Sequence, residues 1–143
     1  MKLSHNIFIM SSVDEVWKHT VTPSKWSKWN PNIQDISYSE DGELTVGDTF
    51  QLKQVGMAKA EWKVLDIQEK KSCRWMTTSP GIKIIAQHSI EAKDKGVSNI
   101  LTLEVTGIMS FLLYPIILLS SKSALKKENE GLRNYIVGSN GKD

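Results

Sequence analysis

The hydrophobic pattern of the chain changes its period at Gly107, and this change constrains the fold more than any other feature. Before Gly107, apolar and polar residues alternate in short runs, as they do from Leu101 to Thr106. After it, apolar residues recur every three or four positions as far as Ile136. Alternation is typical of a half-buried strand, whereas the longer period is typical of an amphipathic helix. The sequence therefore predicts a sheet followed by one long helix.

Short turns divide the first part of the chain into strands. Pro80-Gly81 and Lys95-Gly96 are two of these turn signals. Runs joined by turns this short favour an antiparallel meander with one face toward water. The segments that carry the strand pattern are 4–10, 48–54, 58–64, 72–78, 82–92 and 97–106.

Two short helices are predicted after the first strand. Ser12 and Glu15 fit a capping box, in which each side chain satisfies a free amide at the start of a helix. Pro23 suits the first turn of a second helix that continues to Trp29. Pro31 ends this helix, because the residue before a proline avoids helical angles.

The long helix is predicted to bury one stripe and expose another. The stripe that the helix is expected to bury continues with Leu118, Leu125, Asn129, Leu132 and Ile136. Pro115 is expected to kink this helix or to lie near its start. The polar side alternates in charge, which favours a solvated face. It carries Lys122, Lys126, Lys127, Glu128, Glu130 and Arg133.

These elements together predict one α+β domain. The expected fold is a curved antiparallel sheet wrapped around the long C-terminal helix, with the two short helices and about six further strands after the first strand. The 143 residues suffice for one core and contain no repeat or break in composition. We assign 1–138 to the domain and 139–143 to a flexible tail. Where helix and sheet stand apart, a cavity opens between them.

Composition argues against several classes of function. Eighteen basic and sixteen acidic residues give a net charge of +2, which offers no electrostatic case for a nucleic-acid partner. One cysteine, Cys73, excludes an internal disulfide framework. Three histidines without ligand spacing give no metal site, and no phosphate-binding motif is present, so we expect neither a metal nor a cofactor.

The sequence shows no clear signal for secretion or for membrane insertion. The N-terminal apolar stretch stops after Met10, which is too short for a secretory signal, and we expect a cytoplasmic protein. The longest apolar run, 108–119, is interrupted by Pro115 and falls short of the roughly 20 residues that a membrane span needs. We expect no stable membrane insertion. The run is interpreted as a buried helix end, with transient contact to a bilayer surface as the alternative.

Several motifs resemble those of a known family in order and spacing. They are the segment 9–17, the W-x-x-W-N-P pattern of 26–31, the V-G-D-T-F segment 46–50, Trp75, His88 and the Gly107 junction. This set resembles the polyketide cyclase/dehydrase branch of the SRPBCC (START-like) superfamily. The resemblance implies a helix-grip fold around a hydrophobic pocket. Family members bind lipids, sterols, polyketides or plant hormones, and some catalyse cyclisation or dehydration.

His88 is the most informative polar residue of the strands. It shares the parity of Ile84, Ala86 and Ile90, which directs it inward. A polar ring on an apolar face must find a hydrogen-bond partner. Three interpretations remain open: a core histidine, a ligand contact, or a general acid/base with a pKa near neutrality.

The resulting hypothesis is binding of a small hydrophobic molecule, lipid-, polyketide- or aromatic-like, between the sheet and the last helix. No residue is assigned a catalytic role, and His88 is the one candidate for it.

One alternative function is that of a polyketide cyclase or dehydratase that uses His88. Another is a ligand-free interaction scaffold, with a filled interior and an exposed apolar patch near 108–119. A monomer or weak homodimer is expected. The predicted pocket residues are Trp29, Phe50, Trp62, Trp75, Leu103, Met109, Leu113 and Ile116, with His88 as the polar anchor.

Overall fold

The computed structural model describes residues 1–40 and 42–140. A seven-stranded antiparallel sheet curls into a half-barrel around a long C-terminal helix, which confirms the predicted fold class. The strands are β1 (Lys2–Ile9), β2 (Ile33–Ser37), β3 (Thr49–Gln54), β4 (Ala60–Gln68), β5 (Ser72–Ser79), β6 (Ile82–Lys93) and β7 (Gly96–Thr106). The helices are α1 (Val13–Val21), α2 (Trp26–Trp29), α3 (Ile108–Leu112) and α4 (Tyr114–Asn140), and a 3-10 turn (Pro23–Lys25) precedes α2.

The strand order places β1 and β2 at opposite edges of the sheet. The order is β1-β7-β6-β5-β4-β3-β2, so consecutive strands pair from β2 to β7 and only β1 joins out of sequence. The helices α1 and α2 make the connection between the two edges.

Side-chain hydrogen bonds cap the N-terminus of α1. The amide of Glu15 donates to the hydroxyl of Ser12 at 3.1 Å, and the Glu15 carboxylate accepts a hydrogen bond from the hydroxyl of Ser11 at 2.8 Å. One half of the predicted capping box therefore forms.

The segment after Gly107 forms two helices where one was predicted. Gly107 has a φ of +105°, and a Cβ at this position would overlap the carbonyl oxygen of Gly81. The chain therefore turns tightly over the β5–β6 turn before α3 begins. Leu113 separates α3 from α4, and Pro115 is the second residue of α4. A proline is tolerated there because an amide in the first turn needs no helical partner. This agrees with the expectation that Pro115 lies near a helix start.

The second half of α4 is held against the sheet. Its buried residues are Leu125, Asn129, Leu132 and Ile136, which are four of the five residues predicted for the stripe, while Leu118 is only partly buried. Gly131 lies so close to the backbone of α2 that a Cβ would overlap the carbonyl oxygen of Trp29. The helix packs mainly on β1, and this end of the molecule forms the closed part of the core.

Asn129 is a polar member of that stripe, and a network satisfies it. Its Nδ2 donates to the backbone oxygen of His5 at 3.0 Å and lies 2.9 Å from the His5 ring. Its Oδ1 accepts from Nδ2 of Asn99 at 2.7 Å. Because a buried amide without partners is costly, this network joins α4 to β1 and β7 in one register.

The apolar run 108–119 is not buried, contrary to the interpretation as a buried helix end. Ile108 is 72% exposed and Phe111 is 81% exposed. The reason is that α3 extends from the edge of the fold, while the first half of α4 stands off from the sheet. Helix α4 continues to Asn140, past the predicted end of the domain at 138. The rest of the predicted tail, 141–143, lies outside the described residues.

Candidate functional site

A cavity of about 350 Å³ separates the inner face of the sheet from the first half of α4. Its walls are mainly apolar and come from α2, from strands β2 to β7 and from α4. Val55, Met57 and Ile116 line the cavity and are also exposed, so the opening lies between the β3–β4 turn and the start of α4. The volume lies at the lower end of the range for small-molecule pockets.

The structure brings six of the nine predicted pocket residues to the cavity wall. They come from α2, four strands and α4, and no single segment supplies more than one of them. Their convergence follows from the parity of the strands, which turns alternate side chains inward. The six are Trp29, Trp62, Trp75, His88, Leu103 and Ile116.

The other three predicted residues lie elsewhere. Phe50 points inward but sits behind Trp26 and Trp75, with ring centroids 5.1 and 5.7 Å away, so it supports the wall without lining it. Met109 packs over Gly81 on the β5–β6 turn. Leu113 is 38% exposed at the break between α3 and α4. Both helical predictions were wrong because they assumed one continuous helix, whereas the break turns these side chains away from the cavity.

An aromatic stack forms one side of the cavity. The ring centroids of Trp26 and Trp75 are 5.3 Å apart, and those of Trp75 and His88 are 4.7 Å apart. Trp26 lines the cavity, although the sequence analysis did not include it among the pocket residues. Its indole nitrogen donates to the carbonyl oxygen of Thr20 at 3.0 Å, which fixes the ring.

His88 is inward and buried, as its parity predicted. Burial lowers its pKa to about 4, so the ring is neutral at neutral pH. Its Nδ1 makes no hydrogen bond to another described residue, and the same is true of Nε1 of Trp29 and of Trp62. A buried polar atom without a partner costs about 1–3 kcal/mol. All three atoms are themselves buried, so they lie within the packed wall and do not face the open cavity.

Glu128 lies in the cavity wall, although the sequence pattern placed it on the solvated face of the last helix. Its Oε1 accepts a hydrogen bond from Nδ2 of Asn30 at 2.8 Å. Desolvation raises the pKa of this carboxyl to about 7, against the opposing effect of the Asn30 bond. One further hydrogen bond joins the same segments, from Nδ2 of Asn32 to the carbonyl oxygen of Ala124 at 2.8 Å.

The position of Glu128 could have been found from helical spacing. It follows Leu125 by three residues and precedes Leu132 by four, so it borders the buried stripe. The prediction placed Glu128 on the solvated face because its side chain is charged, although its spacing from Leu125 and Leu132 indicated the border of the buried stripe. By contrast, no sequence signal pairs Asn30 with Glu128, because the bond spans 98 residues.

The described residues offer neither a metal cluster nor a membrane span. They contain no group of three or more His, Cys, Asp or Glu side chains that could hold a metal ion. No helix among residues 1–40 and 42–140 is long and apolar enough to cross a membrane. The chemistry that the described residues of this site offer is apolar contact, a neutral imidazole and one carboxyl group.

A family model described as polyketide cyclase / dehydrase and lipid transport matches residues 1–136. The chain belongs to this family. The family is part of the SRPBCC superfamily, which confirms the resemblance seen in the sequence motifs. A search of curated proteins gives no match.

Solved structures share the fold of this family member at low sequence identity. The hypothetical protein jhp0584 from Helicobacter pylori is 18% identical, with a TM-score of 0.80 over 94% of this chain and 87% of that chain. TTHA0849 from Thermus thermophilus is 11% identical, with a TM-score of 0.78 over 97% and 99%. Ara h 8.0201 is 15% identical, with a TM-score of 0.68 over 96% and 98%. These likenesses establish the helix-grip fold alone.

Proposed function

We propose that the protein binds a small hydrophobic molecule, lipid-, polyketide- or aromatic-like, in the cavity between the sheet and α4. The observation that carries the proposal is an apolar cavity of about 350 Å³ that opens to solvent. Lipid transport in the family description supports the same class of ligand. The cytoplasmic location expected from the sequence is part of this proposal.

Binding draws its free energy from apolar burial against Trp29, Trp62 and Trp75. Each Å² of apolar surface removed from water contributes about 25 cal/mol. Orientation comes from one or two hydrogen bonds to polar groups of the wall, with His88 as the polar anchor.

We assign His88 a binding role in preference to a catalytic one. The alternative of a cyclase or dehydratase requires this ring to transfer protons near neutral pH. A pKa of about 4 leaves His88 neutral at that pH, so it is a poor general acid and only a weak general base. The expected result is that His88→Ala weakens ligand binding while the protein stays folded.

A cavity-filling substitution tests the proposal. Ala86 lies in the cavity wall, opposite Trp75 on β5 and Leu103 on β7. We expect Ala86→Phe to reduce binding of the neutral fluorescent probe N-phenyl-1-naphthylamine about tenfold or more, because the new ring occupies the ligand's volume. Ala92→Phe is the matched control, since Ala92 is exposed on the same strand. Equal probe binding by both variants and by the unchanged protein would place the probe outside the cavity and overturn the proposal.

An interaction function is a second candidate, and one observation favours it. Ile108, Phe111, Leu112, Ile116 and Leu119 form an exposed apolar surface, here called the junction surface. Apolar patches on monomers often mark contact sites. The scaffold hypothesis, however, also expects a filled interior, which differs from the open cavity described above.

Self-association tests this second candidate, with a second copy of the chain as the partner. We expect a weak homodimer at high protein concentration, measured by sedimentation equilibrium, and a monomer for Phe111→Ser. Phe8→Ser is the control, because Phe8 is also exposed but lies on β1, outside the junction surface. A monomer at every concentration would argue against the dimer.

A further inference from the structure

The described part of the cavity wall contains one carboxyl group and no cationic side chain. Its two titratable side chains are Glu128 and His88. His88 is neutral at neutral pH because burial lowers its pKa to about 4. The ion pairs among the described residues are Lys70–Asp14 and Lys93–Glu91, and both lie on exposed surface. Within the described wall, Glu128 is therefore the only group that can carry charge at neutral pH.

The surroundings of Glu128 satisfy it only in part. A carboxylate offers about four acceptor positions, and Asn30 is the one described residue that donates to it. The neighbouring polar groups of the α2–β2 connection, Asn30 and Asn32, are uncharged. On α4 itself, Lys126 and Lys127 are exposed, as is Lys28 on α2. The carboxyl group thus retains acceptor positions within an apolar wall.

We propose that the ligand of this cavity carries a protonated amine that pairs with Glu128, while its apolar body extends toward the tryptophans. An ammonium group supplies hydrogen-bond donors and a positive charge at once, and such pairs are stronger away from bulk water. An alcohol supplies the donor without the charge, and a carboxylate ligand would be repelled. The inference rests on the proposed function and specifies the ligand class of the same cavity.

A structural role for Glu128 is the competing explanation, and one substitution separates the two. The bond to Asn30 connects α4 to the segment after α2. Glu128→Gln preserves that bond, because the amide oxygen of glutamine can accept from the same Nδ2. It removes only the charge. Glu130→Gln is the matched control, since Glu130 lies two residues further along α4 and is absent from the cavity wall.

The experiment measures displacement of N-phenyl-1-naphthylamine by octylamine, octanol and octanoate at about pH 8. The unchanged protein and Glu130→Gln are expected to bind octylamine about tenfold more tightly than octanol, with octanoate the weakest. Glu128→Gln is expected to bind octylamine no better than octanol. A structural role alone would change the affinity for all three compounds by the same factor.

The pH dependence of octylamine binding gives a second readout. Because the pKa of Glu128 is raised to about 7, its carboxylate forms progressively between about pH 6 and about pH 8. The amine keeps its proton throughout, with a pKa near that of lysine, about 10.4. Octylamine affinity should therefore rise across this interval in the unchanged protein and stay level in Glu128→Gln. His88 is neutral over the whole interval and contributes no slope.

The outcomes distinguish this inference from the proposed function. If the probe binds and octanol displaces it as well as octylamine does in the unchanged protein, the amine inference is wrong and the binding function stands. If Glu128→Gln keeps the preference for octylamine, Glu128 is not the anchor. If Ala86→Phe also leaves probe binding unchanged, the proposed function itself fails.

Discussion

The two halves of α4 share one helix but have opposite relations to the rest of the molecule. In the first half, 114–124, no residue is buried, and the helix forms the roof of the cavity. In the second half, 125–138, four residues are buried and the backbone touches that of α2 at Gly131. Hydrogen bonds from Asn30 and Asn32 mark the boundary between them, because they reach Glu128 and Ala124.

This difference teaches that apolar composition does not decide burial here. The first half contains the end of the longest apolar run, 108–119, yet Ile116 and Leu119 are exposed. The second half is rich in charge and nevertheless packs on the sheet, because Leu125, Leu132 and Ile136 are buried there and Asn129 bonds to β1 and β7. The second half holds the helix in place. The first half has no buried residue and contributes less to this anchoring.

The largest expected effect comes from removing a buried side chain of the second half. Leu132→Ala should lower the free energy of unfolding by about 2–5 kcal/mol, since Leu132 is almost completely buried and its loss leaves a cavity. Leu119→Ala, in the first half, should change it by less than about 0.5 kcal/mol. Urea unfolding of both variants measures the contrast. Similar losses in the two would remove the distinction between the halves.

The pH dependence of stability sharpens the comparison from the cavity side. The unfolded chain protonates a histidine below about pH 6.5, whereas folded His88 resists protonation down to a pKa of about 4. His88 therefore makes stability fall as the pH drops through that window. The pKa of Glu128 rises from 4.5 to about 7 on folding, so this group makes stability fall as the pH rises through that window. Across its window, each group changes the free energy of unfolding by about 3 kcal/mol at most.

Single substitutions should expose these opposing slopes. Relative to the unchanged protein, Glu128→Gln should gain stability as the pH rises from 4.5 to 7, and His88→Gln should gain stability as the pH falls from 6.5 to 4. Glu130→Gln serves as the control. Denaturant unfolding at several pH values gives the measurement, and parallel pH profiles for all the proteins would mean that neither group is desolvated as described.

A smaller effect is expected from the contact between α4 and α2. Gly131→Ala adds a Cβ that would overlap the carbonyl oxygen of Trp29. The clash should exceed the gain of about 1 kcal/mol in helix propensity, for a net loss of about 1–2 kcal/mol. Gly138→Ala on the same helix meets nothing within 4 Å and should be neutral or stabilising. The midpoint of thermal unfolding compares the two variants. Equal stability would mean that α2 shifts away from α4 and makes room for the added Cβ.

The reach of sequence reasoning differs between the sheet and the cavity. Strand parity placed Trp62, Trp75, His88 and Leu103 on the inner face, and all four line the cavity. The period of two leaves a side chain only two possible faces, so the inference is robust. Helical spacing placed Met109, Leu113 and Ile116 in the same wall, but of these three only Ile116 lines the cavity, because the helix breaks at Leu113. The family resemblance, carried by motifs from several elements, was confirmed.

The family and most of the elements could be predicted from the sequence, because they depend on local spacing along the chain, but β2 and the break between α3 and α4 could not. The tertiary structure decided the distance between α4 and the sheet, and with it which residues border a cavity and which are packed. It also decided the setting of Glu128, which depends on Asn30, 98 residues away. A carboxyl group on a helix is solvated or desolvated according to what lies opposite, and only the folded chain brings that surface into place.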